Sequence, residues 1–408
     1  MCRRMSIKRS LKVRLIPVCE PLLLGPELDY AIEALRSGWI SSSGRYLSEF
    51  EERFSRFSGA TYGIATTSGT TALHLALRSL GIGEGDEVIL PDFTMIAVLF
   101  AVLYVGARPV FVDAEPDTWN LDPAKVEERI TPRTKALIAV HTYGHPCEME
   151  LLLDICRRHK ILLVEDAAEA HGALYRGRPC GGFGVVGCFS FYGNKIITTG
   201  EGGMVVTSDP EIAERCRYYR NLCFSLGGIR DFWHDEIGFN FRMTNVQAAL
   251  GLGQLERIEE FIARRRSHAA FYTREFGLID GIQCPVEREG TRNVYWMFGI
   301  LIDPKKLGMG RDEFSRALEE RGIETRPFFR PMHRQKVVED RVGPQAESYP
   351  VSDDLSERGL YLPSGSGLSE EDLKYITDTI KAVLASGEAK RNVIASKATQ
   401  EKGDSHQR

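Results

Sequence analysis

No stretch of this chain approaches the ~18 consecutive apolar residues that a membrane-spanning helix needs, which argues against a membrane partner. Charge of one sign is also lacking: 52 Lys and Arg stand against 56 Asp and Glu, a formal net charge of −4. A chain without a basic field has little to hold nucleic acid or an anionic surface, so a small ligand is expected instead. The nine cysteines are scattered singly and odd in number. Neither a CxxC pair nor paired histidines at zinc-site spacing occur, so no metal is expected. The pattern reads as reduced thiols in a cytoplasmic protein. The opening "MCRRMSIKRSLKVRL" is basic but lacks the apolar core of about 7 to 15 residues that a secretory signal carries. It is read as a solvated, flexible arm over residues 1–14, and the polar, aperiodic end as a mobile tail over residues 387–408.

What is present is alternation. The apolar runs "EVILP", "RPVFVD", "ALIAVHTYG" and "ILLVEDA" are separated by helical stretches such as "GTTALHLALRSLG" and "EMELLLDICRRH". That rhythm is the mark of βαβ units and a mostly parallel sheet. After the helix-like "NVQAALGLGQLERIEEFIARRRSHAAFYTREF" it changes. Separated strands, "NVYWMFGILID" and "IETRPFF", then mix with helices, "RDEFSRALEERG" and "SEEDLKYITDTIKAVLAS". The expected organisation is a large α/β domain over residues 15–255 and a smaller α+β domain over residues 256–386.

Ligands of open α/β sheets gather at the carboxyl ends of the strands, and three such ends carry chemistry. "IATTSGTTALHLAL" places Ser68, Gly69 and Thr70 at a helix start, where free N–H groups and the helix dipole favour a phosphate; alone, this is also an ordinary N-cap. "ILLVEDAAEAHG" ends an apolar strand with Glu165 and Asp166, carboxylates able to pair with a buried cation or cap the next segment. "FSFYGNKIITTGEGGMVV" sets Lys195 among apolar neighbours. A desolvated lysine has a lowered pKa and becomes a nucleophilic amine, unless it merely snorkels to the surface. Together the three supply what pyridoxal 5'-phosphate requires: an anchor for its phosphate, an anion beside its pyridine nitrogen and an amine for its aldehyde.

These stretches, with "SGWISSSGRYLSEFEERF", "VHTYGHPCEM", "GFNFRMTNVQAALGLGQL" and "GIETRPFFRPMH", resemble the nucleotide-sugar aminotransferases of the DegT/DnrJ/EryC1/StrS family over about residues 15 to 385. The resemblance implies the aminotransferase fold of type I, with a large domain bearing a mostly parallel sheet and a smaller C-terminal α+β domain. It implies pyridoxal 5'-phosphate, with pyridoxamine phosphate as the alternating form, L-glutamate and a nucleotide-linked keto sugar as substrates, and a homodimer with shared active sites. Carried over by position, Lys195 binds the cofactor covalently and moves protons, and Asp166 keeps the pyridine nitrogen protonated. Ser68, Gly69, Thr70 and Ser190 hold the phosphate, and Glu169 approaches the phenolic oxygen. Asn240 reaches the phosphate from the neighbouring subunit. Met95 stands where many relatives carry an aromatic residue over the ring; a thioether is a softer platform.

"RPFFRPMHRQ" brings Arg326, Arg330 and His333 toward the expected cleft mouth. These groups suit either the carboxylates of an amino donor or a nucleotide diphosphate, or form a solvated basic loop. A related dehydratase chemistry places His at the lysine position, so Lys195 argues against it. A non-catalytic relative would be expected to lose one of the three anchors.

Overall fold

The computed structural model describes residues 15–225 and 232–386; the expected arm and tail lie outside the described residues. Seven strands form the large sheet: β1 (Tyr62–Thr66), β2 (Glu87–Pro91), β3 (Arg108–Val112), β4 (Thr134–Val140), β5 (Leu162–Asp166), β6 (Val186–Ser190) and β7 (Gly203–Thr207). Their order is β1-β7-β6-β5-β4-β2-β3, and all run parallel except β7, which is antiparallel to both of its neighbours.

The apolar runs are continuous because both faces of the sheet are covered. Val88, Leu90, Ile138 and Val164 join one core with the helices Gly69–Ser79, Ala97–Tyr104 and Pro210–Arg220. Ile89, Leu137, Ala139 and Leu163 alternate with them and join a second core with Met149, Leu152 and Ile155 of the helix Met149–His159. Alternation therefore assigns the adjacent Glu165 and Asp166 to opposite faces.

The long helical pattern after residue 244 resolves into two helices, Asn245–Leu255 and Ile258–Phe276. Arg257, at φ −116° and ψ 9°, leaves the helical region and turns the chain between them. The first helix starts on a capping box, with Thr244 and Gln247 each satisfying the other's backbone N–H. A four-stranded antiparallel sheet follows, in the order 282–283, 298–302, 359–362, 326–327. The ladder expected over "NVYWMFGILID" begins only at Phe298, and "IETRPFF" contributes only Arg326–Pro327. The residues ahead of Phe298 are diverted toward the end of the large sheet. Ile16 pairs with Ile323, and Val18 O accepts the Ser364 N–H, so the first described residues are stitched to this second unit.

Candidate active site

The carboxyl ends of β1, β5 and β6 lie side by side around β7, and each delivers one anchor. At β1 the chain turns through Thr66, Thr67 and Ser68 into the helix Gly69–Ser79. Ser68 is the N-cap, and its hydroxyl accepts the Thr71 N–H at 3.2 Å. Both readings of this turn hold together, because the cap leaves the N–H groups of Gly69 and Thr70 without an intrahelical acceptor. A Cβ on Gly69 would stand 2.7 Å from the Ser190 Cβ, so only glycine lets the helix start meet the end of β6.

Asp166, at the end of β5, is 6% exposed. Its Oδ1 accepts the Ala168 N–H at 3.0 Å, and Oδ2 takes no protein hydrogen among the described residues. Burial raises its pKa, against the pull of the Ala168 N–H, Lys195 and His141. Glu165 does something different. Its Oε1 accepts the N–H groups of Phe183 and Gly184, and its Oε2 those of Gly181 and of the His141 ring Nε2. His141 Nδ1 accepts the Cys147 N–H at 3.1 Å, which makes Nε2 the protonated nitrogen. Glu165 and His141 thus bind the loop 181–184 to the sheet and take no part in the site.

Lys195 follows β6, with its side chain 10% exposed. Its Nζ lies 3.9 Å from Glu169 Oε1 and 3.6 Å from the centroid of the Trp296 ring. Burial lowers the lysine pKa, opposed by the Glu169 and Asp166 charges. The Glu169 carboxyl is pushed up to about 7 by burial, against the Lys195 charge and the Tyr143 N–H that Oε2 accepts at 2.8 Å. Burial thus works against the charge on both members of the pair, and each is held back from neutralising by the other.

Sequence reasoning missed Tyr143 and Trp296. Tyr143, in the turn after β4, has φ 52°, in the left-handed region that costs a residue with a side chain about 1–3 kcal/mol. Its hydroxyl, the Thr142 hydroxyl and the Trp119 indole N–H are buried without a partner among the described residues. Gly144, at φ 103°, admits the segment 294–296: a Cβ there would lie 2.9 Å from Val294 and 3.0 Å from the Trp296 N. The available signal for Trp296 was an indole in a strand-like run otherwise suited to the core.

The remaining predicted residues are placed apart from this cluster. Met95 precedes the helix Ala97–Tyr104, is 47% exposed, and its sulfur accepts the Ala97 N–H at 3.1 Å. Arg326 lines a cavity of about 490 Å³ together with Tyr192, Asn194 and Tyr361, next to the lysine. Arg330 is exposed and holds the Gln335 amide through its carbonyl. His333 is held by carboxylates: Nδ1 hydrogen-bonds Asp92 Oδ2 at 2.8 Å, and Nε2 stands 3.3 Å from Asp353 Oδ1. It locks its segment to the end of β2, because two carboxylates from remote elements converge on it. Asn240 is exposed and bridges to Asn221.

His171 is fully buried among Phe54, Phe189 and Phe191, with neither ring nitrogen partnered by a side chain. Burial, the largest influence, lowers its pKa from 6.5 to about 3. The unfolded chain therefore takes the proton first: the stability contribution is complete above 6.5 and falls as the pH drops toward 3. Between pH 7 and pH 5 this residue costs the fold about 2 kcal/mol. His171→Leu is expected to flatten the loss of stability over that interval in denaturant titrations at the two pH values. Equal slopes in variant and parent would refute the assignment.

Helix-start N–H groups without an intrahelical acceptor, an open oxygen on a buried carboxylate, a desolvated lysine and orphaned buried hydroxyls fit pyridoxal 5'-phosphate. Fold and site together define a pyridoxal-phosphate-dependent aminotransferase. The chain belongs to the DegT/DnrJ/EryC1/StrS aminotransferase family, which residues 25–381 match. It is 42% identical over 368 residues to the GDP-perosamine synthase of Escherichia coli O157:H7, covering 90% of this chain and 98% of that one. Identity to the GDP-perosamine synthase of Caulobacter vibrioides is 43% over 370 residues, with the same coverage. The crystal structure of the aminotransferase TlmJ from Streptoalloteichus hindustanus superimposes with a TM-score of 0.84 at 32% identity, over 91% of this chain and 99% of that one.

Proposed function

We propose that this enzyme transfers the amino group of L-glutamate to C4 of GDP-4-keto-6-deoxymannose, giving GDP-perosamine and 2-oxoglutarate. The observation that carries this reading is the identity above 40% to two GDP-perosamine synthases along nearly their whole length. The cofactor, when bound, supplies an electron sink for charge developing on the carbon next to the transferred nitrogen. Asp166 accepts a hydrogen bond from the pyridine N–H at its open oxygen, and Gly69, Thr70 and Ser190 hold the phosphate. Met95 is 47% exposed beside the helix Ala97–Tyr104, and in this reading its thioether would cover the ring once the cofactor is bound. Lys195 Nζ carries a proton from one carbon to another, with Glu169 beside it as the neighbouring carboxyl. Arg326, which lines the cavity with Asn194, and the exposed Arg330 would meet anionic groups of donor or sugar nucleotide. The free thiols of the described residues suit a cytoplasmic setting.

Purified protein should turn over the GDP-linked 4-keto sugar with glutamate, followed as 2-oxoglutarate release. Efficient use of a UDP- or dTDP-linked 4-keto sugar, with none of the GDP-linked one, would overturn the substrate and leave the aminotransferase standing.

The working unit in this reading is a two-fold dimer whose sites share Asn240. Trp39, Ile40, Phe232, Trp233 and Ile237 are between 51% and 80% exposed, apolar side chains that a second copy would cover. Mixing inactive Lys195→Ala subunits with inactive Asn240 variants should restore part of the activity, because some heterodimers hold one intact site. No recovery after demonstrated subunit exchange would exclude sharing.

A further inference from the structure

The amine of Lys195 lies against an aromatic face. Its Nζ stands over the Trp296 ring at 3.6 Å from the centroid, closer than its 3.9 Å approach to Glu169 Oε1. The indole is held from several directions. Its Nε1–H donates to the Asn194 carbonyl at 2.9 Å, on the residue next to the lysine. Its own carbonyl accepts from Arg265 Nη1 at 2.7 Å, and its ring stacks on Tyr143 with centroids 6.2 Å apart. Arg265 is itself 2% exposed and tied to Ser364 and Ser366. Trp296 is therefore fixed to the chain that carries the lysine and to the long helix Ile258–Phe276.

We infer that Trp296 is a positioning residue, whose indole face parks the free ammonium of Lys195 beside Glu169. An indole attracts the ammonium through its π face and has no such hold on the neutral amine. A carboxylate in that place would lock the lysine as a charged ion pair, whereas the ring keeps it in position and lets it deprotonate. The charged and titratable groups around the amine are Glu169 and Asp166 after and at the end of β5, His171 two residues beyond Glu169, Cys19 of the opening segment and Arg265 of the long helix. Glu169 and Asp166 favour the ammonium, as the indole does, and Arg265 opposes it. The role is independent of which sugar the enzyme uses.

The test uses cofactor-free protein and measures the rate of covalent capture of pyridoxal 5'-phosphate across pH 6 to 10, from the absorbance of the bound cofactor. In Trp296→Leu the ammonium loses its platform, so the midpoint of the profile should move to lower pH, on the order of one unit. Trp296→Phe should fall between that variant and the parent. Because leucine could disturb the packing on Tyr143, a second series places singly, doubly and triply fluorinated tryptophan at position 296. These rings keep the indole's shape while draining its π face, and each added fluorine should lower the midpoint further. A midpoint that stays fixed along the fluorinated series would overturn the inference, whatever the leucine variant does.

Discussion

Lys195→Ala should fold, bind pyridoxal 5'-phosphate without a covalent link, and turn over at least ~10²–10⁴-fold more slowly than the parent. Binding should persist because the helix start at Gly69 and Thr70, Ser190 and Asp166 are untouched, and the helix-start N–H groups do not depend on the lysine. Turnover should collapse because, in the proposed role, the amine would carry the protons and its neighbours are not placed to replace it. Glu169 holds its oxygen 3.9 Å away and is itself tethered by the Tyr143 N–H. His141 is committed to Glu165 and the Cys147 N–H, and His171 lies in an aromatic pocket with its pKa near 3. Stopped-flow measurement of each half-reaction, with an absorbance scan for the covalent band, checks both halves of the expectation. Parent-like turnover would remove Lys195 from its assigned role.

Glu165→Ala should have the largest effect on stability of any single change in this region, about 3–5 kcal/mol, seen as a marked fall in the thermal midpoint. Truncation strands the buried Gly181 N–H and His141 Nε2–H and the half-buried N–H groups of Phe183 and Gly184. The isosteric Glu165→Gln should rescue little. Each carboxylate oxygen faces two donors, so an amide turned either way points its NH₂ at N–H groups. Asp166→Asn, one residue on, should leave the thermal midpoint close to the parent and instead weaken activity. Its carboxylate has a single protein donor and faces the site from the other side of the sheet. A Glu165→Gln protein as stable as the parent would mean that this network carries no such load.

The parallel sheet and its two covering helical layers were legible because burial on both faces demands unbroken apolar runs, and those runs match the strands closely. "EVILP" is the whole of β2, and "ILLVEDA" contains β5 with Asp166 at its end. Lys195 was legible for a related reason: a charge among apolar residues has few structural excuses. The long helix from residue 245 was misread as continuous, because periodicity carries across Glu256–Arg257 while a change of φ and ψ does not show in side-chain pattern. His333 looked like part of a basic loop, since nothing nearby in the chain announces Asp92 or Asp353, one of them more than 200 residues away.

By itself, then, the sequence determined the α/β rhythm, the strand ends at Thr66, Asp166 and Ser190 and the burial of Lys195, because each depends on hydrophobic periodicity or on a residue's own solvation. Tertiary structure alone decided that Glu165 braces a loop while Asp166 faces the site. It alone set His333 between two carboxylates and brought Trp296 over the Lys195 amine through the opening left by Gly144. Those assignments depend on which distant backbone and side-chain groups converge at a point, and convergence is a property of the packed chain that local pattern does not encode.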